Sequence, residues 1–256
     1  MAGTSQPILE VRNIAKIYGG VAAVRDVSFA VNAGEVCGII GPNGAGKSTL
    51  FNVISGATRL SAGAVSFLNS DISGLAMHQR ARRGIARTFQ LANTFVSLSV
   101  EDNILVGAED HRRRNLLQAA THLGGYRRNL AAARERVRDI MGVIGIAELA
   151  GIPAARLTFG QQRLVSLGRA LAGHARLLLL DEPATGLSAG EVSRLCDAIE
   201  RVRQNGATVL MIEHNVNLIM RICGHVIVMH LGEKIGDGTP AEVQNSERVV
   251  EAYLGT

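Results

Sequence analysis

Tryptophan is absent from the 256 residues, aromatics amount to 4%, and lysine occurs only as Lys16, Lys47 and Lys234. So few aromatics exclude an aromatic-rich binding face. Five prolines against 29 glycines exclude a proline-rich linker and favour tight turns between regular elements. Cys37, Cys196 and Cys223 are odd in number and widely spaced, with no C-x-x-C, which argues against a disulfide framework or a zinc site and leaves them as core fillers. No apolar run approaches the roughly 18 residues of a membrane-spanning helix. The densest run, residues 177–180, has the length of a buried strand. The first ten residues show no basic segment followed by an apolar core, so no signal peptide is expected. What is present is an apolar, modestly charged chain, 47% hydrophobic and 19% charged, enough for a sizeable core in one large domain or one domain with an insertion. It reads as cytoplasmic and globular.

The formal charge is +5, but its distribution is uneven. Between Arg80 and Arg138 stand twelve Arg and five acids, a local excess that exceeds the whole-chain value and leaves the remainder slightly acidic. Such a patch could meet phosphodiester, lipid headgroups or an acidic protein surface, or simply decorate solvated helices.

Apolar and polar residues alternate over 8–11 and 27–31, as in half-buried strands, and 36–40 is a continuous apolar run of the buried-strand kind. A helix is expected to begin at 50–54 with Gly56 as its stop. Between about Ser73 and Arg156 the texture becomes polar and Arg-rich with helical spacing (Leu130, Val137, Ile140, Ile144), which reads as a mostly helical insertion. Strands are expected at 177–180, 208–212 and 226–230, helices at 191–203 and 215–221, a turn at Leu231-Gly232-Glu233 and a short terminal helix from Pro240. Strands alternating with helices imply a mainly parallel sheet of an α/β fold.

The strand at 36–40 runs straight into Gly41-Pro42-Asn43-Gly44-Ala45-Gly46-Lys47-Ser48-Thr49, which matches G-x-x-x-x-G-K-[ST]. Glycines let backbone N–H groups converge on phosphate oxygens, and the helix start behind them adds partial positive charge. Lys47 adds a full charge, and the Ser48 hydroxyl can ligate Mg²⁺. A carboxylate at the end of another buried strand should complete the site, and Leu177-Leu-Leu-Leu-Asp181-Glu182 supplies it. Asp181 is suited to hold Mg²⁺ through water, and Glu182 to polarise a water for attack on a terminal phosphate.

These residues, taken in order, make the chain resemble the ATPase subunits of ABC transporters over nearly its whole length. Tyr18 stands where that family has its adenine-stacking aromatic. Gln90, in Thr88-Phe89-Gln90, matches the glutamine that reaches Mg²⁺ and the attacking water. Leu157-Thr158-Phe159-Gly160-Gln161 falls where the family has its LSGGQ signature, Thr185-Gly186-Leu187-Ser188 where it has the dimer loop, and His214 where it has the switch histidine that senses the γ-phosphate. Thr158 keeps a hydroxyl and Gly160 the glycine nearest the phosphate. Phe159 replaces a glycine and Ser188 the usual Asp; neither change touches the acid, the base or the metal ligands. No Asn-Lys-x-Asp of GTPases occurs, and a small-molecule kinase would need neither the signature loop nor His214.

The resemblance implies a P-loop NTPase core with an N-terminal antiparallel β-subdomain and a helical subdomain inserted at about 91–160, all within one ABC ATPase domain over 1–256. It implies ATP and Mg²⁺ (through Ser48, Gln90 and Asp181), with hydrolysis carried by Glu182, His214, Gln90 and Lys47. It further implies a head-to-tail dimer in which residues 158–161 of one copy close over the nucleotide held by residues 41–49 and Tyr18 of the other. With no membrane span of its own, the chain would work at the cytoplasmic face of the inner membrane on permease subunits docked at residues 91–98, with Arg112, Arg113 and Arg114 facing anionic headgroups. A finer similarity, carried by Ile85-Ala-Arg-Thr-Phe-Gln90, Phe159-Gly-Gln-Gln-Arg163, Ile212-Glu-His214 and Ala252-Tyr-Leu-Gly255, is to the branched-chain amino-acid uptake group, as the longer of its two ATPases. That group adds a second ATPase subunit and a periplasmic solute-binding protein. The other readings are an ATPase for lipid or lipopolysaccharide export and a soluble ABC ATPase acting on nucleic acid. Nucleic acid is not expected, because proteins of that last kind usually carry two cassettes in one chain.

Overall fold

The computed structural model describes residues 7–88, 94–108 and 123–254, with backbone alone for 123–128 and 254. Gln90, residues 91–93 of the docking segment, and Arg112, Arg113 and Arg114 lie outside the described residues. Two compact units are present, one from the described parts of Met1–Arg87, Arg176–Ala184 and Arg203–Thr256, the other from those of Thr88–Ala175 and Thr185–Val202.

In the first unit, strands β1 (Pro7–Tyr18), β2 (Val21–Asn32), β4 (Ala62–Phe67) and β5 (Ser70–Asp71) form an antiparallel sheet in the order β2-β1-β4-β5. The second sheet has the order β10-β9-β3-β8-β7-β6, from β3 (Val36–Ile40), β6 (Ile85–Thr88), β7 (Leu177–Asp181), β8 (Thr208–Ile212), β9 (His225–His230) and β10 (Glu233–Gly238). β9, β3, β8 and β7 pair in parallel, and β10 returns antiparallel along β9. The central strands carry the unbroken apolar runs that burial on both faces requires.

Helix α1 (Lys47–Ser55) lies in the core common to both sheets. Leu50, Phe51, Val53 and Ile54 are fully buried with Ile14, Val24, Val27, Leu179, Leu210 and Ile212, each such side chain stabilising by roughly 1.5–3 kcal/mol. Gly56 ends the helix in the left-handed conformation. Arg80, on α2 (Met77–Ala81), is buried there and donates to the Val53 and Ile54 carbonyls at 2.8 and 2.7 Å. Burial lowers its pKa to about 10, and the carbonyl end of α1 gives it a home.

The second unit contains α3 (Val100–Gly107), α4 (Leu123–Ile144), α5 (Phe159–Ala172) and most of α6 (Ala189–Gln204). α5 crosses α3 and α4 closely at Gly168, where a Cβ would lie 2.9 Å from both Ile104 and Ile144. Further short helices among the described residues are α7 (Val216–Ile222), α8 (Pro240–Gln244) and α9 (Glu247–Leu254).

The fold departs from the expected elements in two places. Ile85–Thr88 is a strand of the large sheet, not part of a helical insertion. β4 and β10, interrupted by Gly63, Gly236 and Gly238, carry too weak an apolar alternation to be read as strands. Five described arginines of the basic stretch have partners within the protein. Arg80 and Arg87 turn inward, Arg136 donates to the Ala172 carbonyl at 3.0 Å, and Arg134 and Arg138 pair with Asp102 and Glu101.

Candidate active site

Strand register brings the predicted site residues of the first unit to one edge. Ile39 of β3 pairs with Ile212 of β8, and Ile212 with Asp181 of β7. The phosphate loop after Ile40, Glu182 after Asp181 and His214 after Ile212 therefore all follow the carboxyl ends of adjacent parallel strands. That edge is where open α/β sheets bind ligands.

Gly41, Gly44 and Gly46 have φ of +152°, +79° and +91°, and two of them are also hemmed in. A Cβ at Gly41 would come within 2.1 Å of the Met229 carbonyl oxygen, and one at Gly46 within 2.3 Å of that of Ala23. The β9–β10 turn braces the loop further, with Gly232 N–H donating to the Ala45 carbonyl at 3.1 Å and Arg25 N–H to the Gly232 carbonyl at 2.7 Å. This brace by Ala23, Met229 and Gly232 has no sequence signal, because its partners are backbone atoms. α1 starts from Gly46 with no side-chain cap and no acid in its first turn. Its leading N–H groups thus form an anion cradle. Lys47 is buried, donates to the Gly41 and Pro42 carbonyls at 2.7 and 2.9 Å, and has its pKa lowered by burial, opposed by the charge of Glu182. The loop fits a polyphosphate.

Glu182 sits at φ +46°, a left-handed conformation that a non-glycine residue adopts at a cost of about 1–3 kcal/mol. Its N–H is bonded to the Ile212 carbonyl at 3.0 Å, and its Oε1 lies 2.8 Å from His214 Nε2. The structure thus joins predicted base and predicted switch directly. Beneath them Glu213, fully buried, accepts the Ala184 N–H at 2.7 Å and the His214 N–H at 3.2 Å, tying the two segments together. Burial raises its pKa, against those backbone bonds. Nothing in its sequence context signalled this role.

Asp181 does not stand alone either. Its Oδ2 accepts Arg87 Nη2 at 2.7 Å, with both side chains largely buried. Among the described residues no cluster of three or more His, Cys, Asp or Glu could hold a metal. A hydroxyl (Ser48) and a single carboxylate (Asp181) are nevertheless the hard oxygen donors Mg²⁺ accepts beside phosphate oxygens. Tyr18 closes β1 before the Gly19-Gly20 turn with its ring about half exposed and Lys16 Nζ 4.7 Å from the ring centroid. That ring face is of the kind a base can stack on.

In the second unit, Thr158 caps α5. Its hydroxyl accepts Gln161 N–H at 3.3 Å while the Gln161 side chain accepts Thr158 N–H at 2.9 Å. Phe159 is partly exposed, has the Arg163 guanidinium 4.7 Å from its ring centroid, and reaches 3.4 Å from where a Gly186 Cβ would stand. Glu191 joins two predicted loops. Its Oε1 accepts the Thr158 hydroxyl at 3.0 Å and the Gly160 N–H at 3.2 Å, and its Oε2 accepts the Ser188 N–H at 3.0 Å and hydroxyl at 2.8 Å. Ser188, foremost, and Thr158 hold the Glu191 pKa down to about 2. Residues 94–98 are organised by Asn103, whose amide bonds Phe95, Leu98 and Ser99 and leaves Phe95 and Val96 exposed.

A family model described as ABC transporter matches residues 24–185. The chain belongs to the ABC transporter ATPases. As an ABC ATPase it is a nucleotide-binding, ATP-hydrolysing transporter subunit, and none of its helices among the described residues is long and apolar enough to cross a membrane. A second family model, for branched-chain amino acid ATP-binding cassette transporters, matches residues 233–256 of this ABC ATPase. Over 252 residues it is 36% identical to BraF of Pseudomonas aeruginosa, a high-affinity branched-chain amino acid transport ATP-binding protein, covering 98% of this chain and 99% of BraF. It is also 36% identical over 247 residues to LptB of Escherichia coli, a lipopolysaccharide export system ATP-binding protein, covering 96% and 97%. Its fold matches the ADP conformation of MJ1267, an ATP-binding cassette of an ABC transporter, with a TM-score of 0.83 and 31% identity, covering 98% of this chain and 100% of that one.

Proposed function

We propose that this ABC ATPase drives uptake of branched-chain amino acids or related small amides and acids. In this reading it is one of two ATPase subunits at the cytoplasmic face of the inner membrane, beneath a pair of permeases fed by a periplasmic solute-binding protein. The observation that carries the ATPase part is the carboxyl edge of β3, β7 and β8, where an uncapped helix start with its lysine, a strained Glu182 and His214 follow neighbouring strands. The C-terminal match at residues 233–256 supports import, since overall identity to BraF and LptB is the same.

The N–H groups of residues 44–49 and Lys47 would bind the β- and γ-phosphates, and Tyr18 would stack on the adenine. Ser48, Asp181 and Gln90 would hold Mg²⁺, which when bound neutralises charge on the phosphate oxygens. Glu182 orients the attacking water and accepts its proton, and His214 steadies Glu182 while meeting the γ-phosphate. A second ATPase subunit, head to tail, would bring its own counterpart of residues 158–161 over the nucleotide. The exposed Phe95 and Val96 are the surface for a permease helix.

Glu182→Gln should keep MgATP binding and lose at least about 100-fold in turnover; full turnover would remove Glu182 from the role. Co-expression with the genes flanking this one decides the cargo. Permeases with a binding protein that takes up leucine support import. ATPase stimulation by lipopolysaccharide in an isolated complex would replace import with export, the reading that the similarity to LptB favours.

A further inference from the structure

Arg87 belongs to β6, the edge neighbour of β7, and it is nearly buried beside Asp181. Contacts of its guanidinium run in two directions. Nη2 donates to Asp181 Oδ2 at 2.7 Å, while Nη1 donates to Asn52 Oδ1 at 2.7 Å and to Ser55 Oγ at 2.9 Å. The same group lies 5.3 Å from the ring centroid of Phe51. Phe51, Asn52 and Ser55 are on α1, the helix that begins at the phosphate loop and contains Ser48. One planar cation therefore ties the helix bearing one candidate Mg²⁺ donor, Ser48, to the strand end bearing another, Asp181.

We infer that Arg87 is a positioning residue for the metal site. It fixes the Asp181 carboxylate by one oxygen, leaving the other to face water or Mg²⁺, and it couples that carboxylate to the helix carrying Ser48. Arginine suits the task where lysine does not, because its fork meets a carboxylate on one edge and an amide oxygen and a hydroxyl on the other. Groups that orient a metal-binding carboxylate typically alter metal affinity by about 10–100-fold. Removing Arg87 frees Asp181 to rotate and decouples the two donors, which should raise the metal requirement while leaving the phosphate cradle intact.

The inference rests on the ATPase reading, and the test separates the two. A fluorescent ATP analogue is bound to the full chain in EDTA and then across a Mg²⁺ titration, for wild type, Arg87→Met and Arg87→Lys, with melting recorded in EDTA. Arg87→Met should need roughly tenfold more Mg²⁺ for half-saturation, with nucleotide affinity in EDTA close to wild type, and Arg87→Lys should fall between. In an Asp181→Asn background the Arg87 substitutions should no longer shift the Mg²⁺ requirement. An unchanged or lower requirement in either variant, or an equal loss of affinity with and without Mg²⁺, overturns the assignment. If Arg87→Met does not fold, Arg87→Lys alone decides. Wild type that binds no nucleotide at any Mg²⁺ concentration would instead overturn the ATPase reading.

Discussion

The phosphate loop and the signature loop each present a helix start, yet they are held by different means. At the phosphate loop the neighbours are backbone atoms, namely the Met229 and Ala23 carbonyls and the Gly232 N–H, and the φ angles are ones glycine adopts freely. At the signature loop the helix start is met by a side chain, the Glu191 carboxylate, which also holds Ser188. Backbone bracing fixes a shape that no rotamer change can undo. A carboxylate can swing away with a change of rotamer, so the hold on the signature loop is reversible in a way that the hold on the phosphate loop is not.

The sharpest way to break this contrast is at glycine. Gly46→Ala sets a Cβ against the Ala23 carbonyl and forces φ of +91°, and it should cost about 3 kcal/mol and abolish tight nucleotide binding, read by denaturant melts and an ATP titration. Gly44→Ala has the same kind of φ but open space around it, so about 1 kcal/mol of backbone strain is expected. Equal penalties for the two would show that φ, and not the carbonyl brace, holds the loop.

Next comes Glu191→Gln. The folded carboxylate has its pKa depressed to about 2 from an ordinary 4.5. Its contribution is therefore fully present above pH 4.5 and lost as pH falls through about 2. The melting gap between wild type and the variant should be constant from neutral pH to about 5 and close toward pH 2. Amide exchange at Gly160 should quicken in the variant while residues 44–49 stay protected; quickening in both loops would end the contrast. Smallest is Phe159→Ala, expected to lose about 0.5–1 kcal/mol with the Arg163 contact, measured by melting. A larger loss would make Phe159 part of what holds the loop.

Much of the site was legible because its chemistry is local. A strand, a glycine loop and a helix lie consecutively in 36–55, and Asp181 and Glu182 directly follow their apolar run, so periodicity and motif spacing located them. Gly56 as the stop of α1 was readable for the same reason. The partners Arg87, Glu191 and Glu213 were not. Arg87 looked like one more arginine in a basic stretch, Glu191 like the polar face of an amphipathic helix, and Glu213 like the residue before His214. Each gained its role from a group at least 29 residues away in the chain.

The sequence by itself determined the alternation of strands and helices, the glycine loop with its lysine and the acids at the strand end, since each depends on neighbours a few positions off. Only the tertiary structure decided which arginines are surface and which are interior, which backbone atoms wall in Gly41 and Gly46, and that Glu182 meets His214. Those outcomes depend on strand order and register, and these are set by the burial of many side chains together and by no single stretch of chain.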